Sequence, residues 1–416
     1  MKFNIFKHSK FKSLSYYVIA SVLTTIIGLL INPLLSIGLN HNDFAIIGYF
    51  TSFGSILSPI IAFSFNNYYA RNYFLEDVNQ REKTLQTLLT LFFFFGLIVF
   101  FVFYISYYFY FKFNVTSFPF FPFALLSFLP SYFASFYNIY LLDLRLENKA
   151  KRYALVTVLN SVLGAFLSIL LVYVMNYGAV GRLIAILVVG ILFGLYSLKM
   201  KKFRLCLDKK VVQKAFTFCW PLTISAILSF FFIGIDRTFL EKLNDNHNLG
   251  LYNVGLQISG YVGIFGTILL QTFDPDLYKY TSLNNHKKVF FLTILIIGLS
   301  FIPNVIFVIL SEPLISFLTY GKYTDAAGFA NILCLKNVAT TFAFVMSGIL
   351  IGYGHPRYEL INRILGSVLA LLMYKYFIEN WGFYGAAWGQ SLSWIGMGII
   401  SLICLVIVKN KKYGDA

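Results

Sequence analysis

Long apolar segments repeat along almost the whole chain and constrain its fold more than any other feature. They fall at about residues 14–39, 44–70, 85–111, 119–142, 153–175 and 180–198, and then at about 215–240, 251–273, 289–310, 327–351, 360–378 and 384–408. A helix that crosses the hydrocarbon core of a bilayer, about 30 Å thick, needs about 20 apolar residues. Only 12% of the 416 residues are charged, against about 25% in soluble domains, so a water-soluble globule is excluded. The sequence predicts an all-α polytopic membrane protein with about twelve transmembrane helices.

Basic residues indicate how these helices are oriented. If both termini are cytoplasmic, 26 of the 33 Lys and Arg residues lie in the predicted cytoplasmic segments, six lie on the opposite side, and Lys336 alone lies within a span. Cytoplasmic loops of membrane proteins are enriched in Lys and Arg. The distribution therefore predicts cytoplasmic termini, and it accounts for the net charge of +16 without a nucleic-acid partner.

The most basic segment, 199–214, lies at the middle of the chain and separates two sets of six spans. Short motifs recur in the two sets at a spacing of about 204 residues: Arg152-Tyr153 and Arg357-Tyr358, and Asn176-Tyr177-Gly178 with Gly181 and Asn380-Trp381-Gly382 with Gly385. Internal repeats of this kind are common in transporters. We therefore predict a six-helix bundle at 1–198, a basic cytoplasmic linker at 199–214 and a second six-helix bundle at 215–416, around a central cavity.

Motifs for catalysis, nucleotide hydrolysis or metal binding are not evident. Gly321-Lys322 lacks the upstream glycine of a phosphate-binding loop and is followed by Tyr323. The five histidines and four cysteines stand singly, so no metal-ligand spacing is present. A glycan polymerase or ligase would need a large outer loop, and the outer loops here are short. We expect a protein that is not an enzyme and that has no cofactor and no metal site.

Charged side chains within membrane spans are costly, so each is a candidate functional residue. Lys336 is predicted to lie about 10 Å deep in the tenth span, where it either extends to the outer interface or faces a cavity. Asp236 and Arg237 lie near the outer end of the seventh span, with Glu241 one turn further on. Arg237 and Glu241 either form an ion pair on one helix face, or Arg237 faces a cavity as a receptor for an anionic group.

Three motifs in the second half resemble those of bacterial polysaccharide-repeat flippases of the Wzx type, which belong to the MOP superfamily with the MATE transporters. The first runs from Phe218 to Tyr252, where Pro221 precedes the pair Asp236-Arg237 and a Gly-Leu-Tyr sequence opens the next helix. The other two are LTYGKYTDAA at 318–327 and WGFYGAAWGQSLS at 381–393. The resemblance covers the whole chain in topology and is sharpest from about residue 215.

This resemblance implies two six-helix bundles around a cavity that opens alternately to either side of a bacterial inner membrane. It implies a substrate of undecaprenyl pyrophosphate carrying one oligosaccharide repeat, an O-antigen or capsule precursor, which moves from the cytoplasmic to the periplasmic leaflet. The polymerase that acts next on this glycan is a candidate partner, together with membrane lipid.

Six residues are our candidates for substrate binding. The family motif supports Asp236 and Arg237 only, whereas Lys336 is chosen because of its charge within a span. Gln257 is chosen as a neighbouring polar residue, and Arg71 and Arg145 as capture residues at cytoplasmic helix ends.

Two relatives within the superfamily have different functions. Lipid II flippases are longer by about two helices, so that function is disfavoured for this chain. A MATE-like multidrug or cation antiporter shares the twelve-helix plan and is the main alternative. Such antiporters commonly place carboxylates within the membrane, whereas in this chain the basic groups enter the spans.

Overall fold

In a computed structural model, the chain is almost entirely helical. The structure describes residues 8–73, 75–115, 117–353 and 356–414, and no β-strand is found among them. Within these ranges, 11 helical segments are long and apolar enough to cross a membrane. The prediction of an all-α polytopic membrane protein is confirmed.

The helices of the first half correspond to the first six predicted spans, with one short extra helix. Their bounds are α1 His8–Gly38, α2 His41–Ala62, α3 Phe65–Asn72, α4 Val78–Asn114, α5 Phe123–Leu146, α6 Ala150–Ser168 and α7 Gly178–Met200. Helix α6 continues as a π-helix over Ile169–Val174. The N-terminus of α2 has a capping box, in which the Asn40 side chain accepts from the backbone of Asp43 and the Asp43 side chain accepts from the backbone of Asn40.

The second half begins with a helix that is broken twice. Its helices are α8 Lys209–Leu228, α9 Phe230–Ile233, α10 Asp236–Glu241, α11 Asn246–Ser282, α12 His286–Thr319, α13 Ala326–Gly352 and α14 Pro356–Gly414. The predicted seventh span, 215–240, therefore consists of parts of α8, α9 and α10. The break that precedes α10 places Asp236 and Arg237 in its first turn.

Helix α14 accounts for two membrane crossings. Its apolar stretch Tyr358–Ile407 has 50 residues, which at about 1.5 Å per residue is more than twice the thickness of a bilayer core. Gly382 interrupts the helix with a φ of 56° and a ψ of −131°. With this division the helix count agrees with the expected number of about twelve.

The chain divides into two compact units, residues 1–227 and 228–416. In the first unit, α6 packs against α1, and α5 packs against α2 and α7. In the second unit, α13 packs against α11, α12 and α14. The domain boundaries 1–198, 199–214 and 215–416 stay a prediction.

The basic segment after α7 is held against the N-terminal part of α4. Nε2 of Gln86 donates to the carbonyl of Lys201, at 2.9 Å, and Oε1 of Gln86 accepts from the backbone of Arg204, at 2.9 Å. Oγ1 of Thr90 accepts from the backbone of Cys206, at 3.1 Å. These contacts satisfy backbone groups of a non-helical segment, so the segment has a defined path within the first unit.

The repeated glycine motif has a positive φ in both halves. Gly178 has a φ of 51° and Gly382 a φ of 56°, a left-handed conformation that favours glycine. At Gly178 a Cβ atom would also lie 2.9 Å from a carboxylate oxygen of Asp43. That carboxylate accepts from the backbone of Ala179, at 3.0 Å, so Asp43 fixes the starts of both α2 and α7.

Large apolar side chains cover much of the outer surface. Ile98, Phe101 and Val102 of α4 and Phe290 and Ile309 of α12 are each more than half exposed. Exposed apolar surface of this extent is not tolerated in water, but it suits contact with lipid.

Candidate functional site

The break between α9 and α10 brings two charged side chains into the interior of the second unit. Asp236 is 0% exposed and Arg237 is 5% exposed. The break frees the carbonyl of Phe232, which accepts from Oη of Tyr374, at 3.0 Å, and from Nε2 of Gln390, at 3.2 Å. Because both donors belong to α14, the break is stabilised by side chains, as irregular backbone within a membrane requires.

Both oxygens of the Asp236 carboxylate are occupied. Oδ1 accepts from Nη1 of Arg237, at 2.9 Å, and Oδ2 accepts from Oη of Tyr252 in α11, at 2.5 Å. Arg237 also donates from Nη1 to the carbonyl of Ile233 and from Nε to Oδ1 of Asn253, the latter at 3.4 Å. The ion pair observed for Arg237 is thus with the adjacent Asp236, and we name Tyr252, Asp236 and Arg237 the second-unit triad.

Lys336 lies on α13, ten residues after its first residue and therefore about 15 Å along the helix. Its side chain is half-buried and interacts electrostatically with Arg237 and Asp236. The next residue, Asn337, donates from Nδ2 to the carbonyl of Ser259, at 2.8 Å, and to Oδ1 of Asn304, at 3.1 Å. These bonds fix α13 against α11 and α12, so α13 holds Lys336 beside the second-unit triad.

Gln257 lies on α11, five residues after Tyr252. Its side chain is half-buried, and its Nε2 donates to Oη of Tyr261 at 3.2 Å. The structure therefore brings Asp236, Arg237 and Lys336 together and places Gln257 on an adjoining helix.

The two other predicted residues lie in the first unit at helix ends. Arg71 is exposed in the last turn of α3, with its guanidinium 4.7 Å from the ring centre of Phe218. Arg145 is exposed in the last turn of α5, with its guanidinium 5.8 Å from the ring centre of Tyr153. Both ends are predicted to be cytoplasmic, and both cations rest on an aromatic ring.

A comparable buried group in the first unit was not predicted from the sequence. Asp143 of α5 is 2% exposed. Its Oδ1 accepts from Oη of Tyr69 at 2.5 Å, and its Oδ2 pairs with Nζ of Lys201. Nζ of Lys201 also lies 3.7 Å from Oε1 of Glu147. We name Tyr69, Asp143 and Lys201 the first-unit triad. In the sequence, the feature that could have indicated it is a single aspartate, Asp143, within an apolar segment.

The two triads share one chemical arrangement. In each, a carboxylate with almost no exposure receives a tyrosine hydroxyl on one oxygen and a basic side chain on the other. Glu241, which is 3% exposed, is also engaged in an interaction. Because these are the buried Asp and Glu side chains of the described chain, no buried carboxylate there is free to receive an organic cation.

The described residues contain no group of three or more His, Cys, Asp or Glu side chains that could hold a metal ion. The charged groups of the second unit instead place two basic side chains, Lys336 and the Asp236-paired Arg237, within the membrane-spanning region.

The family is decided by residues 11–273, more than half of the chain, which match the family model described as polysaccharide biosynthesis protein. The chain belongs to this family. No curated protein matches the sequence.

Solved structures share the fold at low sequence identity. An inward-facing multidrug resistance MATE family transporter of the MOP superfamily has a TM-score of 0.72 and 16% identity, over 94% of this chain and 96% of that one. The lipid II flippase MurJ, in an inward closed conformation, has a TM-score of 0.71 and 16% identity, over 94% and 87%. The predicted MOP fold is therefore confirmed, and the two solved structures are described as a transporter and a flippase.

A third structure is a MOP superfamily transporter from Pyrococcus furiosus, with a TM-score of 0.51 and 18% identity over 94% of this chain and 91% of that one. It is described as having a binding pocket of reverse polarity that suggests a different function. The same fold thus carries pockets of different charge, so the fold alone does not determine what is transported.

Proposed function

We propose that this protein is a flippase for a lipid-linked oligosaccharide. Its substrate is undecaprenyl pyrophosphate carrying one repeat of an O-antigen or capsule glycan, and it moves from the cytoplasmic to the periplasmic leaflet by alternating access. Membership of the polysaccharide biosynthesis family supports a glycan as part of the substrate, and the fold shared with a lipid II flippase supports a lipid-linked substrate.

The observation that carries the proposal is the balance of charge around the second-unit triad. Arg237 and Lys336 are two cations, and the neighbouring Asp236 carboxylate already holds Arg237 and Tyr252. A pyrophosphate cannot enter hydrocarbon without a large desolvation cost. Positive side chains along its path offset that cost, while the isoprenoid tail remains in lipid.

The same balance disfavours the alternative, a MATE-like antiporter for multidrug or other cations. Such a site requires a carboxylate that is available to the cation. The buried carboxylates Asp143, Asp236 and Glu241 of the described chain are all engaged. An organic cation would therefore meet Lys336 with no free counter-charge from these residues.

The remaining candidates have supporting roles in this proposal. Arg71 and Arg145, at the cytoplasmic ends of α3 and α5, first attract the pyrophosphate. Gln257 donates or accepts hydrogen bonds for the sugar head group. The protein lies in a bacterial inner membrane with both termini cytoplasmic, and it delivers the lipid-linked repeat to the polymerase that consumes it.

Deletion of the gene in its host, followed by lipid extraction and mass spectrometry, tests the proposal. We expect unpolymerised single repeats on undecaprenyl pyrophosphate to accumulate and surface glycan to disappear. The wild-type gene should reverse both changes. Unchanged lipids together with new sensitivity to cationic drugs would contradict the flippase and support the antiporter.

A further inference from the structure

A cavity of about 360 Å³ lies within the first unit, between α1, α5, α6 and α7. None of the six residues assigned to the substrate above lines it. Its polar lining consists of Arg182, Ser168, Asn160, Ser161, Thr24 and Tyr137. Aliphatic and aromatic side chains, among them Ile27, Ile186 and Phe193, form most of the remainder. A pocket of this size is within the range of ligand sites.

Arg182 is the one charged side chain among the residues that line the cavity. It lies one turn after Gly178, where the contacts of Asp43 fix the start of α7. Its Nη1 donates to Oγ of Ser168, which in turn donates to the carbonyl of Gly164 at 2.6 Å. Ser168 is fully buried, so the guanidinium is held at the cavity by a rigid neighbour.

The helices around the cavity keep it open. A Cβ atom at Gly164 would have no atom within 4 Å, and a Cβ at Gly190 would contact only Pro130, at ordinary distances. Immediately after Ser168 the helix becomes the π-helix Ile169–Val174, a feature that often occurs at functional sites. Residues larger than glycine would fit at Gly164, and their absence leaves space for a ligand.

We propose that this cavity is a second binding site for the substrate, specific for the phosphate end of an isoprenoid phosphate. A guanidinium binds phosphate oxygens through paired, charge-assisted hydrogen bonds. The hydroxyl and amide groups of Ser161 and Asn160 complete the polar end, and Ile186 and Phe193 contact the first isoprene units. This inference rests on the proposed function, and it places a phosphate contact on the first unit in addition to the one on the second.

Titration of the purified full-length protein in detergent with geranylgeranyl pyrophosphate tests this site. We expect Arg182→Gln to weaken binding about tenfold or more, since a hydrogen-bonded charge contact is lost. The matched control is Arg152→Gln, which removes a cation near the Tyr140 ring, 5.9 Å from its centre, in the same unit but outside the cavity. The affinity of Arg152→Gln for geranylgeranyl pyrophosphate should stay within about twofold of wild type.

A second variant fills the cavity without touching the charge. Gly164→Leu places four carbons in the open space, and we expect it to weaken binding at least as much as Arg182→Gln while the melting temperature is preserved. Gly298→Leu in α12 is the control, because a Cβ there also meets no atom within 4 Å and the residue does not line the cavity. If Arg182→Gln does not fold, Gly164→Leu still decides the question.

Two outcomes would overturn the site. One is a wild-type protein that binds geranylgeranyl pyrophosphate no better than geranylgeraniol, and the other is undiminished binding in Gly164→Leu. Neither outcome bears on lipid accumulation in the deletion strain, so the proposed function is tested separately. Binding that is weakened in Gly164→Leu and unchanged in Gly298→Leu supports the site directly.

Discussion

The hydroxyl of Tyr252 donates a hydrogen bond of 2.5 Å to Oδ2 of Asp236. The two residues lie on different helices, α11 and α10, and both are 0% exposed. A carboxylate so far from water needs a donor for each oxygen. This hydrogen bond therefore holds Asp236 in place while its other oxygen pairs with Arg237.

Replacement of Tyr252 by Phe removes that donor and leaves one oxygen of a buried carboxylate unsatisfied. We expect a loss of stability of about 1–3 kcal/mol, seen as a lower melting temperature of the purified protein. Tyr376→Phe is the control, because that side chain is 62% exposed. Equal melting temperatures for the two variants would show that the bond is not important for stability.

Asp236→Asn removes the counter-charge of a buried guanidinium. Breaking a buried ion pair by removing one partner costs about 3–5 kcal/mol, so we expect low yields and a strongly reduced melting temperature. The double variant Asp236→Asn with Arg237→Gln should recover part of this stability, since no unpaired charge is left. If the cation serves transport, the double variant is stable and still fails to restore surface glycan in the deletion strain.

Lys336→Ala should abolish surface glycan at normal expression, because it removes the second cation beside the second-unit triad. Lys336→Arg keeps the charge and is expected to retain activity. Lys375→Ala is the matched control, since its side chain is exposed on α14. Normal surface glycan in Lys336→Ala would show that this residue is not part of the site.

The apolar pattern was sufficient to predict the fold, because each span is a local property of about 20 residues. The motif at Gly178 and Gly382 was interpreted only as a repeat, and in the structure both glycines have a positive φ. Helix α14 shows why the helix count depends on that glycine: the backbone at Gly382 is not helical and divides α14 into two helices.

The site was predicted only in part. Arg237 and Glu241 lie four residues apart within α10, as the i,i+4 pattern requires, but the ion pair found for Arg237 is with its immediate neighbour Asp236. The first-unit triad joins Tyr69 and Lys201 to Asp143 across 74 and 58 residues. The periodicity of apolar residues gives no information on contacts between residues so far apart in the sequence. These contacts are seen only in the folded structure.

Gly385 lies at a tight contact within α14. A Cβ atom there would lie 1.9 Å from the carbonyl oxygen of Phe377, which requires the backbone to move. We expect Gly385→Ala to lower the melting temperature by several degrees or to prevent folding. Gly298→Ala, where a Cβ meets no atom within 4 Å, should be neutral or stabilising because alanine favours helix. Similar behaviour of the two alanine variants would contradict the close packing at Gly385.

The ion pair between Lys83 and Asp208 makes part of the stability dependent on pH. Nζ of Lys83 lies 2.6 Å from Oδ2 of Asp208, and Oδ1 of Asp208 accepts from the backbone of Lys210, at 2.8 Å, and of Val211, at 3.3 Å. The hydrogen bond from Lys83, followed by those from the backbone, lowers the pKa of the Asp208 carboxyl. Its charged form is thus favoured in the folded protein.

Because this pKa is lower in the folded than in the unfolded chain, the carboxylate stabilises the protein fully above about pH 4. The contribution is lost as the pH falls through the lowered value. Asp208→Asn keeps an oxygen for the backbone donors and removes only the charge, so it should melt below wild type at pH 7, and the difference should shrink as the pH falls below about 4. Lys83→Gln should reproduce this behaviour, and a difference in melting temperature that does not shrink at acid pH in either variant would show that the charge pair is not its cause.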